Sequence, residues 1–182
     1  MQKFILSINE PDEQVIADEQ VVCHELSTSL PLPILEQYIQ KLHQTDSLIL
    51  LRGANAVALC KKYNCDGVVV EVNNDSPYKK QLLPLREQLG NKKIIGVIIP
   101  LSRHAAMIVG ESEPEFIAFR IDSVEELPNA QNLIQWYNEL FLIQSAVIGT
   151  SDISVLSSLE TDFVMISPKN YKILVAKKES LD

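Results

Sequence analysis

Short apolar, β-branched runs punctuate the chain at Lys3–Ile8, Gln20–Leu26, Leu48–Leu51, Gly67–Val72, Ile94–Ile99, Phe116–Ile121, Gln144–Ile148 and Phe163–Ser167. Each is four to seven residues long and often apolar at consecutive positions, the pattern of strands covered on both faces. The stretches between them have helical spacing. Pro31–His43 puts Ile34, Leu35, Tyr38 and Leu42 on one side, with Ser29 as its expected cap. Asn55–Asn64 carries Val57, Leu59 and Cys60 on adjoining faces, and Tyr78–Leu89 follows Ser76-Pro77, a cap and a first-turn proline. Asn129–Leu140 aligns Leu133, Tyr137 and Leu140, and Ser151–Leu159 aligns Ile153, Leu156 and Leu159. Only Asn9–Glu19 is too short and too acidic for a full helix.

Strand and helix alternating at intervals of roughly 20–28 residues mean βα units and a parallel sheet. Eight such strands predict an α/β fold, a compact (β/α)8 TIM barrel whose first helix is degenerate or missing, with residues 1–182 as one domain. An open doubly wound sheet is the competing architecture. Acidic residues recur just before three strands, Asp66, Glu115 and Asp162. At helix-to-strand turns, on the bottom face of a barrel, they read as structural.

Composition narrows the function. Hydrophobic residues make up 46% and charged residues 22% of 182, which excludes disorder, collagen and coiled coil. The net charge of −8 would repel phosphate backbones and anionic lipid, so neither nucleic acid nor a membrane surface is an expected partner. No run approaches the ~20 apolar residues of a membrane span. The start, with a short apolar stretch that turns acidic at once, does not read as a signal peptide. Three cysteines without a Cys-x-x-Cys pair read as free buried thiols, and the expected location is the cytoplasm. A homo-oligomer is left open.

The run Ala58-Leu59-Cys60-Lys61-Lys62-Tyr63-Asn64-Cys65-Asp66-Gly67-Val68 resembles the thiamine phosphate synthase family, including its thiazole tautomerase branch, where a helix leads into Ala-Asp-Gly-Val-His-Leu-Gly. The likeness continues through Leu89-Gly90, Ile94-Ile95-Gly96-Val97, Pro114-Glu115-Phe116-Ile117, Ala146-Val147-Ile148-Gly149 and Asp162-Phe163-Val164. It covers about two-thirds of the chain, mostly at framework positions. It implies a barrel with a role in thiamine biosynthesis, binding a phosphorylated thiazole or pyrimidine at the carboxyl ends of the strands.

Those ends are also where the chain departs from the family. Cys23-His24-Glu25-Leu26 matches Gln-Leu-Arg-x-Lys only loosely, and Arg52-Gly53-Ala54-Asn55 offers one Asn in place of Asn-Asp. Ile98 and Pro100 replace Ser and His, and Arg120-Ile121-Asp122-Ser123 lacks the family's Thr and Lys. Expulsion of a diphosphate needs cationic donors and Mg²⁺. The rim instead mixes Glu25, Glu71, Asp75 and Asp122 with Arg52, Arg103 and Arg120. Mg²⁺ could bind such carboxylates, but no spacing demands it, and no other cofactor is implied.

Gly149-Thr150-Ser151, between a strand and a helix, could cradle a phosphate with Ser167 facing the same place, or could simply be a turn with an N-cap. Arg52 and Arg120 each end an apolar strand, as a fork for an anion or as partners of rim carboxylates. Gly149, Thr150, Ser151, Ser167, Arg52, Asn55 and Arg120 are therefore the candidate phosphate-binding residues, and no catalytic residue is identified. His43 reads as structural at a helix end and His104 as a surface helix residue, while adjacent Cys23 and His24 point to opposite faces and cannot pair. Two functions stand out. One is an enzyme of the synthase or tautomerase type. The other is a pseudoenzyme, a barrel that binds a phosphorylated metabolite or a regulatory partner without catalysis. A sugar-phosphate isomerase is a weaker third. A continuous pocket bearing Arg52 and Arg120 favours an enzyme or binder, whereas a rim filled by Ile98, Pro100 and Ile121 favours a non-catalytic protein.

Overall fold

The computed structural model describes residues 2–149 and 152–180. Eight parallel strands pair in chain order and close on themselves: β1 (Lys3–Ile8), β2 (Val21–Ser27), β3 (Leu48–Arg52), β4 (Gly67–Glu71), β5 (Ile94–Ile99), β6 (Phe116–Ile121), β7 (Gln144–Gly149) and β8 (Phe163–Ile166). Closure comes from β1 against β8, with Lys3 opposite Phe163 and Leu6 opposite Ile166. No edge remains, so the open doubly wound sheet is excluded.

Alternation along each strand creates two apolar layers. Ile5, Cys23, Leu50, Val69, Ile98, Ala118, Ala146 and Met165 fill the barrel interior. The intervening Phe4, Leu6, Leu51, Val68, Val97, Phe119, Val147 and Val164 face outward into a second layer shared with the helices. Gly96 makes room inside: a Cβ there would lie 2.1 Å from the ring of Phe116.

The covering helices are α1 (Leu32–Leu42), α2 (Ala56–Lys62), α3 (Tyr78–Leu89), α4 (Arg103–Gly110), α5 (Leu127–Leu140), α6 (Ile153–Leu156) and α7 (Pro168–Glu179). Several differ from expectation. Neither Ser29 nor Ser76 caps a helix, because α1 and α3 begin directly behind Pro31 and Pro77, with no side-chain cap. Leu140 is exposed at the end of α5, whose buried stripe is Ala130, Leu133, Ile134 and Tyr137. The helix expected over Ser151–Leu159 shrinks to α6, one turn capped by Asp152. Ser167 lies beyond β8, where its hydroxyl accepts from Asn170 N–H and caps α7.

The first helix is indeed missing, since Asn9–Gln20 contains none. This segment is tied down by side chains instead. The Tyr38 hydroxyl donates into the carbonyls of Pro11 (3.1 Å) and Glu13 (2.5 Å). His24 Nε2 accepts from Ile16 N–H at 3.4 Å, which makes Nδ1 the protonated nitrogen, donating to Ser47 Oγ at 2.7 Å. Lys172 on α7 reaches Gln14.

At the opposite, amino-terminal face the three recurrent carboxylates have one common task. Asp66 accepts from Ile49 N–H (2.8 Å), Glu115 from Ile95 N–H (2.6 Å) and Asp162 from Ser145 N–H (2.8 Å). Each clips the strand that follows it to the strand before, at β3–β4, β5–β6 and β7–β8. They are structural, as expected.

Candidate functional site

Two residues beyond each interior position, the strands deliver a different set of side chains to the carboxyl-terminal mouth. Ser7 follows Ile5, Glu25 follows Cys23, Arg52 follows Leu50, Glu71 follows Val69, Arg120 follows Ala118 and Ser167 follows Met165. The period-2 rule that fills the core with aliphatic residues thus sets two arginines and two glutamates at one end of it.

Both arginines are engaged. Arg52 Nε lies 3.0 Å from Glu25 Oε1. Arg120 grips Glu71 with two bonds, Nε to Oε1 at 2.6 Å and Nη2 to Oε2 at 2.9 Å, reaching across β5 to do so. Its Nη1 is 3.8 Å from Asp122. The fork onto Glu71 raises the Arg120 pKa, so this guanidinium stays charged. Of the two roles left open for these arginines, both make the carboxylate pairing.

The Glu25–Arg52 contact is an ion pair without good hydrogen-bond alignment. Neither Glu25 oxygen nor Ser7 Oγ has a well-aligned hydrogen bond, the Ser7 hydroxyl lying only near enough to favour the charged carboxylate, although Glu25 is 0% exposed and Ser7 only 6%. Burial pushes the Glu25 carboxyl up to about 6, against the opposing pull of Arg52, Ser7 and Arg120.

Above these groups is a cavity of about 270 Å³ lined by Ser7, Asn9, Arg52, Arg120, Gly149, Ser167 and Asn170, with Ile148 and Met165 as its apolar wall. The structure therefore brings together four of the candidate residues, Arg52, Arg120, Gly149 and Ser167. Asn55 is not among them. It is exposed at the start of α2 in a left-handed conformation. Thr150 and Ser151 lie outside the described residues. Gly149 sits where β7 presses on β6, since a Cβ there would fall 1.7 Å from the Ile121 carbonyl oxygen. Ile98 is buried in the barrel interior and Ile121 in the outer layer shared with the helices, so neither fills the mouth.

Sequence reasoning missed Ser7, Asn9 and Asn170. Ser7 was accessible through its spacing from Ile5, whereas Asn170 depends on α7, which no periodicity marked. Arg103 is not at the mouth: its guanidinium stacks over Trp136, 4.9 Å from the ring centre. Asp75 and His104 line a separate groove of about 640 Å³ between the start of α3 and α4, outside the barrel. That groove is larger, but its Lys79 and Glu111 pair with each other and its charged side chains are exposed.

A Mg²⁺ centre does not fit these residues. Each mouth glutamate already faces a guanidinium, and no cluster of three or more His, Cys, Asp or Glu side chains is placed to hold a metal among the described residues. No described helix is long and apolar enough to cross a membrane.

No family model matches the chain. Two curated relatives do: the thiamine-phosphate synthase of Erythrobacter litoralis is 34% identical over 103 residues, covering 52% of this chain and 46% of that one. The thiamine-phosphate synthase of Rhodospirillum centenum is 30% identical over 96 residues, covering 50% and 44%. The match thus spans less than half the length of these relatives. Among solved structures, thiamine phosphate pyrophosphorylase from Pyrococcus furiosus superposes with a TM-score of 0.67 at 12% identity, covering 96% of both chains. The chain resembles the thiamine phosphate synthase family in sequence, and its barrel has the fold of such proteins.

Proposed function

We propose that this thiamine-phosphate-synthase-like barrel binds a phosphorylated small molecule of the thiazole or pyrimidine phosphate type at its mouth, without catalysing synthase chemistry. The observation that carries the reading is the convergence of Arg52, Arg120, Ser7 and Ser167 on one cavity. Arg52 faces Glu25 with its Nε at 3.0 Å, and we assign its two Nη groups to a phosphoryl oxygen.

The same geometry argues against turnover. Diphosphate departure needs several preplaced cationic donors that outweigh the anions around them. Here two guanidinium charges face two glutamates at the mouth, and buried Ile98 and Ile121 stand at or beside positions where the family offers polar groups. A donor of this type is worth ~10²–10³ in rate, so the loss of several leaves little. A regulatory barrel that binds a protein partner in place of a phosphorylated ligand is the second reading, favoured by the mutual neutralisation of the mouth charges.

Thermal shift with thiazole phosphate, pyrimidine phosphates and inorganic phosphate tests binding. Saturable stabilisation is expected, weakened roughly 10–100-fold by Arg52→Ala through loss of a charged donor. A coupled assay with hydroxymethylpyrimidine diphosphate, thiazole phosphate and Mg²⁺ should show no appreciable product. Turnover near an ordinary ~1 s⁻¹, abolished by Arg120→Ala, would overturn the non-catalytic reading.

A further inference from the structure

Glu25 is at odds with a simple anion site. It stands on β2 opposite Ser7 of β1, fully buried, and holds the guanidinium of Arg52, one of the two cations lining the cavity. An oxyanion that reaches Arg52 must therefore approach a carboxylate that water cannot screen. We propose that an oxyanion enters the barrel mouth together with a proton, which Glu25 takes up from solvent, so that binding at this site is coupled to pH near neutrality. This rests on the reading of the mouth as an anion site and specifies how that site is regulated.

The surroundings single out Glu25 as the group that accepts the proton. From β1 it is faced by the Ser7 hydroxyl, from β3 by Arg52, from β4 by Glu71 and from β6 by Arg120. On its own strand, Cys23 stays a neutral thiol, pushed well up by burial and by Glu25 itself. Glu71 is half-exposed, with both oxygens bonded to Arg120. Among the described residues, only Glu25 is a carboxylate that combines complete burial with two oxygens lacking aligned donors. Its carboxyl already sits at about 6 before any anion arrives. A second negative charge drawn to Arg52 competes for the stabilising cation and repels the carboxylate, and both effects favour the protonated form. Once protonated, Glu25 gains a donor towards Ser7 Oγ, which has no well-aligned partner, and Arg52 is released to the ligand. One proton leaves solvent to form the O–H bond of the Glu25 carboxyl, and no other covalent bond changes.

The position is a charge reversal. In the loose resemblance of Cys23-His24-Glu25-Leu26 to Gln-Leu-Arg-x-Lys, Glu25 stands where the family has arginine, and Arg52 supplies a cation from the next strand. The cation has moved one strand over, and an acid now sits beneath it.

Sulfate is the suitable probe, because its own charge does not change between about pH 5 and 8. Isothermal titration at constant ionic strength, in two buffers of different ionisation enthalpy, gives affinity and proton count together. Sulfate affinity should fall by about tenfold or more from pH 5.5 to 7.5, with uptake of about one proton per sulfate near pH 7. Glu25→Gln should bind sulfate at pH 7.5 about as tightly as the wild type does at pH 5.5, and lose most of the slope. Glu71→Gln should keep the slope, which separates the effect from a general loss of negative charge. Binding without proton uptake, or a slope retained in Glu25→Gln, overturns the coupling and leaves the anion site standing. Absence of saturable binding at every pH overturns both. Should Glu25→Gln fail to fold, ¹³C NMR titration of the wild-type Glu25 carboxyl decides: its midpoint should rise on saturation with sulfate, and an unmoved midpoint refutes the proposal.

Discussion

His24 and Glu25 are neighbours on β2, both 0% exposed, and they load the fold with opposite pH dependences. Burial lowers the His24 pKa from 6.5 to about 4, and the neutral ring accepts from Ile16 N–H and donates to Ser47. The unfolded chain therefore binds the proton first. Stability from His24 is complete above pH 6.5 and is lost as pH falls towards 4, on the order of 3 kcal/mol in all. Glu25 is raised from 4.5 to about 6, so the folded chain binds the proton first. Its contribution is complete below pH 4.5 and is lost as pH rises through 6, about 2 kcal/mol. The two windows overlap and oppose each other between about pH 4.5 and 6. Urea denaturation from pH 4 to 8 should therefore separate the branches when the wild type is compared with each single variant. His24→Phe should flatten the acid branch while costing about 1–3 kcal/mol at pH 7 through the orphaned Ile16 N–H. Glu25→Gln should raise stability at pH 7 and leave it unchanged at pH 4. A Glu25→Gln protein less stable than wild type at pH 7 would contradict this account.

Among elements, the bottom-face carboxylates carry the clearest energetics. Asp66→Ala leaves the N–H of buried Ile49 without its partner, a loss of about 1–3 kcal/mol, whereas Asp66→Asn keeps an acceptor oxygen and should recover most of it. Equal destabilisation by both variants, measured by chemical denaturation, would mean that charge rather than the clip matters. The structural role of these carboxylates was legible in the sequence because an acid recurs at the same place before three of the strands, β4, β6 and β8. Strands β5 and β6 were likewise legible to the residue, β5 as an unbroken apolar run and β6 as one interrupted only by Arg120. Other elements left weaker traces. In α7 the buried residues are Pro168, Tyr171 and Leu174, thinly spread among lysines, and no following strand frames it. In α4 eight residues sit behind Ser102, whose capping bond to Ala105 N–H distinguishes it from any loop serine only once the helix exists. At the mouth the charged residues could be read, but their pairing could not. Glu71 and Arg120 are 49 positions apart, and closure of the barrel alone brings them into contact.

The whole molecule is a ring assembled from short-range joints and one long one. Seven strand pairings join successive strands along the chain, while β1 meets β8 across nearly its entire length. Phe4 on β1 packs edge-to-face on Tyr171 of α7, centroids 5.0 Å apart, at the same seam. Contact order is therefore low everywhere except at this closure, whose loop entropy is the largest single term in bringing the ring together. The seam should seal after the folding barrier has been crossed. Truncations there, such as Leu6→Ala or Tyr171→Leu, should mainly speed unfolding, with φ near 0, while Val97→Ala in the middle of the ring should slow folding. A chevron analysis showing φ near 1 at Leu6 would place closure before the barrier instead. With late closure, the last event in folding is the meeting of β1 and β8, and the mouth becomes a complete ring of residues only at that step.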